Sequence, residues 1–176
     1  QEIRKILVKN SNMYFKGQSD TETLLEAISE WGIDKSLKFI NGMFAFALWD
    51  DIKKTLYLSR DIAGEKPLYY TEIINNNNIS LVFGSELKVF NAYPNCKKKI
   101  NLEAVNYQQL YKYIPSPYSI YENTYKVNPG TYIKFELNNF KSTIINYWNF
   151  DDTIKNSKNS LFQNNEYSNI EITEKS

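Results

Sequence analysis

The chain contains no histidine. That excludes Ser-His and Cys-His nucleophile pairs and any imidazole-based metal site within it, and no metal site is expected. It has a single cysteine, Cys96. One cysteine forms no intrachain disulfide, which fits a reducing compartment. No run approaches the roughly 20 apolar residues that span a bilayer. The opening residues, Gln1-Glu2-Ile3-Arg4-Lys5, are not followed by an apolar stretch of signal-peptide length. An excess of one charge is also missing. A net charge of +1 gives no electrostatic reason to expect nucleic acid or an anionic membrane as partner. The run Lys97-Lys98-Lys99 reads as a solvated loop. These absences together point to the cytoplasm.

What is present suits one domain with a tail, since 176 residues can enclose a sizeable core. Hydrophobic residues make up 42% and charged residues 23%, ordinary for a folded domain. Aromatics reach 15%, with 14 tyrosines, and tyrosine favours strands.

Along the chain, Ile3, Ile6 and Leu7 fall on one helical face. Ser19-Asp20-Thr21-Glu22 has the form of a capping box, in which Ser19 accepts from the Glu22 amide and Glu22 reaches back to the Ser19 amide. Leu24, Leu25, Ile28 and Trp31 would then line one face, with Gly32 ending the helix. A shorter helix is expected over residues 35–40, stopping at Asn41-Gly42. Met43 to Trp49 is apolar on both faces, which predicts a strand covered on both sides. Thr55 to Ser59 should pair with it as an antiparallel hairpin. Further strands are read over 68–73, 79–83, 125–127, 132–137 and 144–148, with Pro129-Gly130 as a turn and Asn75 to Asn78 as a loop. Ser85-Glu86-Leu87-Lys88 opens a short helix. A longer one spans 102–113, with Leu102, Val105, Leu110 and Tyr113 apolar. From Asp151 onward Asn, Ser, Lys and Glu dominate, so residues 151–176 read as linker or tail. Residues 1–150 form the domain, of α+β class with sheets covered by helices.

Three motifs carry candidate chemistry. Asp20 stands in the first turn of a helix. It can simply favour the helix dipole, worth about 0.3–1 kcal/mol. Because Ser19 and Glu22 already serve the helix end, it is also free to hold a substrate ammonium group, worth about 1.5–3 kcal/mol when sheltered. Arg60-Asp61, followed by Ile62-Ala63-Gly64, reads as a turn held by an Arg–Asp pair, with Gly64 supplying positive φ; direct substrate contact is the rival reading. Cys96 has lysines behind it that would lower its pKa. It sits in a polar connection with no base in reach, so an incidental thiol is the better reading.

The ordered set Ser19-Asp20-Thr21-Glu22, Trp31-Gly32, Asn41 to Asp50, Arg60 to Tyr70, Gly84-Ser85-Glu86-Leu87-Lys88 and Val127-Asn128-Pro129-Gly130 resembles the glutaminase domain of glutamine-hydrolysing asparagine synthetase, a class II glutamine amidotransferase. The resemblance covers about residues 1–150. It implies the N-terminal-nucleophile fold: two stacked antiparallel sheets between helix layers (αββα), here incomplete at the N-terminus. It implies that an N-terminal cysteine attacks the glutamine amide with its own α-amine as base, which needs no histidine. Asp20 matches the aspartate that holds the glutamine α-amino group. Residue 1 is Gln, and the family's nucleophile, carboxylate-binding arginine and Asn-Gly oxyanion donors precede the first residue here. The resemblance therefore supplies no catalytic residue within this chain, and the isolated chain is expected to be inactive.

L-glutamine is the implied partner. Aspartate, ATP and Mg2+ would enter through an ATP-dependent synthetase domain beyond residue 176, and a homodimer is conceivable for the full-length enzyme. An upstream Met-Cys-Gly or a downstream Ser-Gly-Gly-x-Asp-Ser in the adjoining reading frame would mark a fragment of an active enzyme. The alternatives are a degenerate amidotransferase-like module that binds without catalysis, and a related amidotransferase with another acceptor.

Overall fold

The computed structural model describes residues 2–11, 14–75, 78–94, 96 and 98–155. The helix expected near the start is α1 (Glu2–Ser11). Next come α2 (Asp20–Trp31) and α3 (Ile33–Phe39). Gly32 joins these two helices at φ 77°, and its amide donates to the Ile28 carbonyl. Strands β1 (Ala45–Asp50) and β2 (Thr55–Arg60) form the expected antiparallel hairpin. Its turn is closed by Asp50, whose Oδ1 accepts from the Ile52 and Lys53 amides at 3.1 and 2.9 Å. Strands β3 (Tyr69–Asn75) and β4 (Asn78–Gly84) form a second hairpin. A 3-10 turn (Leu87–Asn91), α4 (Leu102–Tyr111), β5 (Thr124–Lys126), β6 (Thr131–Glu136) and β7 (Lys141–Asn146) complete the order. The tip of the loop read over 75–78, the residue Lys97 and the tail over 156–176 lie outside the described residues. Residues 151–155, which composition assigned to a linker, are helical.

The strands make two antiparallel sheets, ordered β1-β2-β6-β7 and β4-β3-β5. Leu58, Ile133 and Phe135 of the first meet Tyr70 and Leu81 of the second, with Leu68 and Val127 just beyond its strand ends, forming a core between the sheets. The Tyr70 and Phe135 rings meet edge-on, with centroids 5.7 Å apart. On its other face the first sheet sets Tyr57, Tyr132 and Phe46 against Ile33 and Leu37 of α3 and Ile28 of α2. This is the stacked two-sheet arrangement with a helix layer outside it. Each strand alternates its side chains between the two cores.

Several local expectations change. β1 is an edge strand, not a covered one. Phe44, Phe46 and Leu48 pack on the helix side, while Met43 and Trp49 are 58% and 43% exposed. The strands covered on both faces are β2 and β6, central in the order. β2 hides this in the sequence, because Thr55, Ser59 and Arg60 are polar yet buried. The buried stripe of α2 runs through Thr23 and Ala27, and Leu25 is exposed. Leu102, Leu110 and Tyr113 are exposed too, and only Ala104 of α4 is buried. The Pro129-Gly130 turn does not close a hairpin: β5 pairs with β3, and β6 with β2.

One knot ties these parts together. Arg60 and Asp61 are both buried, yet they do not pair with each other. Arg60 donates to main-chain carbonyls: Nε to Lys66 at 2.8 Å, Nη1 to Val127 at 2.9 Å and Nη2 to Gly64. Asp61 accepts from main-chain amides of Ala63 (3.1 Å), Glu65 (2.9 Å) and Lys66 (3.0 Å). The Asp61 amide donates to Phe44 and its carbonyl accepts from Gly130. The Tyr147 hydroxyl caps the Arg60 carbonyl at 2.7 Å. Burial opposes ionisation of Asp61, but the Lys66 and Glu65 amides outweigh it and hold its carboxyl below the usual carboxylate range. Gly64 completes the knot at φ 68°. A Cβ there would lie 2.8 Å from Pro129 Cγ and 3.1 Å from the pinned Arg60 guanidinium.

Two outcomes test this reading. Gly32→Ala meets open space and costs only backbone strain, about 1–3 kcal/mol. Gly64→Ala adds a clash to similar strain, so its urea midpoint should fall further; equal midpoints would sink the packing argument. Asp61→Asn should cost about 1.5–3 kcal/mol near neutrality. A depressed carboxyl adds stability that is full above the unfolded-chain value and lost as pH falls through the folded one. Denaturation followed below the ordinary aspartate value of 3.8 should therefore show a smaller stability loss in Asp61→Asn than in the parent.

Candidate functional site

A cleft of about 430 Å3 opens where α1, α2 and the start of β1 meet. That is within the size range of small-molecule sites. Its walls are Ile3 of α1, the first turns of α2 and the segment Ile40 to Phe46. Asp20, Thr21, Asn41 and Met43 of the lining are exposed, whereas Leu24, Ile40, Phe44 and Phe46 are half-buried and make an apolar floor.

The N-terminus of α2 is held by an arginine that the sequence reading passed over. Arg4 Nε donates to Thr23 Oγ1 at 2.6 Å. Its Nη1 and Nη2 donate to the Gly17 and Ser19 carbonyls at 2.9 and 3.1 Å. Nη2 also pairs with Glu22 at 3.4 Å, and the guanidinium lies 4.5 Å from the centre of the Phe15 ring. Glu22 does not close a capping box. Its carboxylate turns outward and accepts from the Lys16 and Gly17 amides at 2.7 and 3.0 Å. Ser19 Oγ accepts from the Thr21 amide at 3.1 Å in place of the expected Glu22 amide. Arg4 thereby fastens α1 to α2 and shapes the loop that delivers Asp20.

Asp20 is the first residue of α2, exposed, and part of the cleft lining. Among the described residues its carboxylate has no hydrogen bond and no ion pair. Capping is done by Ser19 and the loop is held by Arg4 and Glu22, which leaves Asp20 facing the cleft unengaged. An unengaged carboxylate over an apolar floor suits a small ligand carrying an ammonium group.

Arg60 and Asp61 do not join this site. Their side chains face loop main chain, although the Asp61 amide on Phe44 steadies one wall of the cleft. Cys96 does not join it either. Burial pushes its thiol up from the ordinary value, against the opposing charge of Lys98, which reverses the shift the lysines suggested. Among the described residues no cluster of three or more His, Cys, Asp or Glu is placed to hold a metal ion, and no helix is long and apolar enough to cross a membrane. A signal for the missed arginine existed: the chain has only two arginines among 21 basic residues, and both bind main-chain carbonyls with a planar fork that lysine lacks.

The pattern of glutamine amidotransferase domains matches residues 1–148. The chain belongs to the glutamine amidotransferase domain family. A Methanocaldococcus jannaschii protein provisionally named asparagine synthetase [glutamine-hydrolyzing] 2 is 36% identical over 148 residues, covering 83% of this chain and 28% of its own length. Asparagine synthetase [glutamine-hydrolyzing] 3 of Bacillus subtilis is 32% identical over 175 residues, covering 93% of this chain and 27% of its own. Amidase chry2 of Gibberella zeae is 30% identical over 123 residues, covering 68% and 16%. The chain thus spans about a quarter of the length of the first two relatives. The two stacked sheets are consistent with the fold expected of such an amidotransferase domain.

Arg4→Met keeps the methylenes and removes the donors. It should lower the protection of α1 amides from hydrogen exchange about tenfold, or about 1.4 kcal/mol, with the sheets unchanged. Unaltered α1 protection would remove Arg4 from its positioning role.

Proposed function

We propose that this chain supplies the glutamine-binding part of a glutamine-hydrolysing asparagine synthetase. In this reading Asp20 holds the glutamine α-amino group over the cleft, and ammonia from the amide passes to a further domain that amidates aspartate with ATP. One observation carries the proposal: an unpaired carboxylate on the rim of a cleft sized for an amino acid, in a chain of the amidotransferase family. A charge-assisted bond there contributes about 1.5–3 kcal/mol once ligand shelters it. The cytoplasm, where a lone cysteine stays reduced, is the compartment this reading favours.

ATP and Mg2+ do not fit the residues present. The six glycines are isolated from one another, so there is no glycine-rich loop to cradle phosphates. No described acidic cluster could hold the cation. The nucleotide is assigned to the remaining three quarters of the relatives' length.

The second reading, binding without hydrolysis, is favoured for these 176 residues on their own. The cleft lining includes no cysteine, and burial of Cys96 disfavours its thiolate.

Both readings meet one experiment. Glutamine added to the 176-residue chain should shift the amide resonances of Asp20, Thr21 and Met43. Asp20→Asn should weaken that binding at least tenfold, about 1.4 kcal/mol. Glutamate release should match the protein-free blank. Shifts that survive Asp20→Asn unchanged would overturn the role given to Asp20. Release above the blank would overturn binding without turnover.

A further inference from the structure

Asn41-Gly42 is the one Asn-Gly pair in the chain. It lies in the connection from α3 to β1 and forms part of the wall of the Asp20 cleft. Both residues are exposed. Among the described residues, neither the Asn41 side-chain amide nor the Gly42 N–H has a hydrogen-bond partner. Gly42 sits at φ 134°, and a Cβ there would meet nothing within 4 Å. The backbone has both the freedom and the room for the Gly42 nitrogen to approach the Asn41 side chain.

That approach brings a main-chain nitrogen onto an amide carbon of its own neighbour, and closing a five-membered ring gains the rate of an intramolecular reaction. The Gly42 nitrogen bonds to Asn41 Cγ. The Cγ–Nδ2 bond breaks, and Nδ2 leaves as ammonia with the proton lost by the Gly42 amide. Water then opens the succinimide. Attack at Cγ makes residue 41 an aspartate. Attack at its main-chain carbonyl makes an isoaspartate, with the chain continuing through Cγ. Water is consumed, ammonia is released, and nothing is oxidised or reduced.

Other asparagines lack one or more of these conditions. Asn101 Oδ1 accepts from the Ala104 amide at 3.2 Å, Asn139 Nδ2 donates to Glu136 at 2.8 Å, and Asn149 Oδ1 accepts from the Asp151 amide at 3.0 Å. Each is followed by a bulky residue, Leu102, Phe140 or Phe150. Asn128 precedes Pro129, which has no N–H to lose.

We propose that Asn41-Gly42 is a self-modification site whose deamidation places a second carboxylate in the Asp20 cleft. Asp20 is the one ionisable side chain in that lining, so its formal charge doubles. The isoaspartate form also adds a main-chain atom ahead of Phe44, whose carbonyl accepts from the Asp61 amide at 2.9 Å. The modification therefore reaches the Arg60-Asp61 knot as well as the cleft. None of this depends on glutamine being the ligand.

The test holds the 176-residue chain in mildly alkaline buffer at physiological temperature and samples it over weeks. Peptide mass spectrometry reads conversion at each asparagine, and isoaspartyl methyltransferase labelling reads the isoaspartate product. Asn41 should convert at least about tenfold faster than Asn101, Asn139 and Asn149. Its rate should stay within about tenfold of that in a synthetic peptide of residues 36–46, which has no fold to restrain it. The Asp20, Thr21 and Asp61 amide resonances should move with the same time course. Asn41→Gln, which would have to close a six-membered ring, should take up no label at this position and hold those resonances still. Conversion at Asn41 no faster than at Asn101 overturns the proposal, and so does a folded rate more than tenfold below that of the peptide. Conversion that leaves the Asp20 and Thr21 resonances unmoved overturns it too, because the new charge would then lie outside the cleft.

Discussion

A loop can enter a protein interior only if its peptide groups find partners there. The connection from β2 to β3 does so through two adjacent side chains of opposite charge that ignore each other. Arg60 collects carbonyls and Asp61 collects amides, and between them they satisfy main chain from Gly64 to Lys66 and at Val127. The same two residues lend their own peptide groups to Phe44, Gly130 and Tyr147. Segments from both sheets and from the cleft wall therefore converge on one point. Removing a partner from such a network exposes buried polar groups to no solvent, a larger penalty than the loss of one surface hydrogen bond.

Arg4 repeats the device at smaller scale. It binds the Gly17 and Ser19 carbonyls and the Thr23 hydroxyl, with Glu22 alongside. Together the two arginines account for the position of the cleft: Arg60-Asp61 steadies Phe44 on one side, and Arg4 sets the start of α2 on the other. Neither needs to touch a ligand. What they leave at the rim is Asp20, the acid in this neighbourhood with no structural task. At the opposite end of β1 the sheets part over an apolar floor of Leu56, Leu81 and Phe135.

Much of this was legible before coordinates. Gly32 as a helix stop, the β1–β2 hairpin and the two strands on either side of the 75–78 loop follow from local pattern, and the structure bears them out. Asp20 was singled out because Ser19 and Glu22 flank it, and it does stand free at the cleft. The flanking pair gives only half of the physical reason. Ser19 caps through Thr21, and Glu22 serves the preceding loop. A capping box is a statement about four consecutive residues, and Arg4, thirteen or more residues away from the carbonyls it binds, pulled Glu22 out of it. β1 misled for a related reason. Apolar residues on both faces report how greasy a strand is, not how many neighbours it has. Central β2, with Thr55, Ser59 and Arg60 inside, looked less buried than edge β1.

The amino-acid sequence by itself determined the elements, the α+β class and the ordered motifs of an amidotransferase domain, because capping, periodicity and turn chemistry act over a few residues. Only the tertiary structure decided which strands lie in the middle. It also sent the Pro129-Gly130 turn from one sheet to the other, and turned Arg60 and Asp61 away from each other toward main chain. Those outcomes depend on satisfying buried peptide groups with partners up to 87 positions apart, and no local pattern contains that sum.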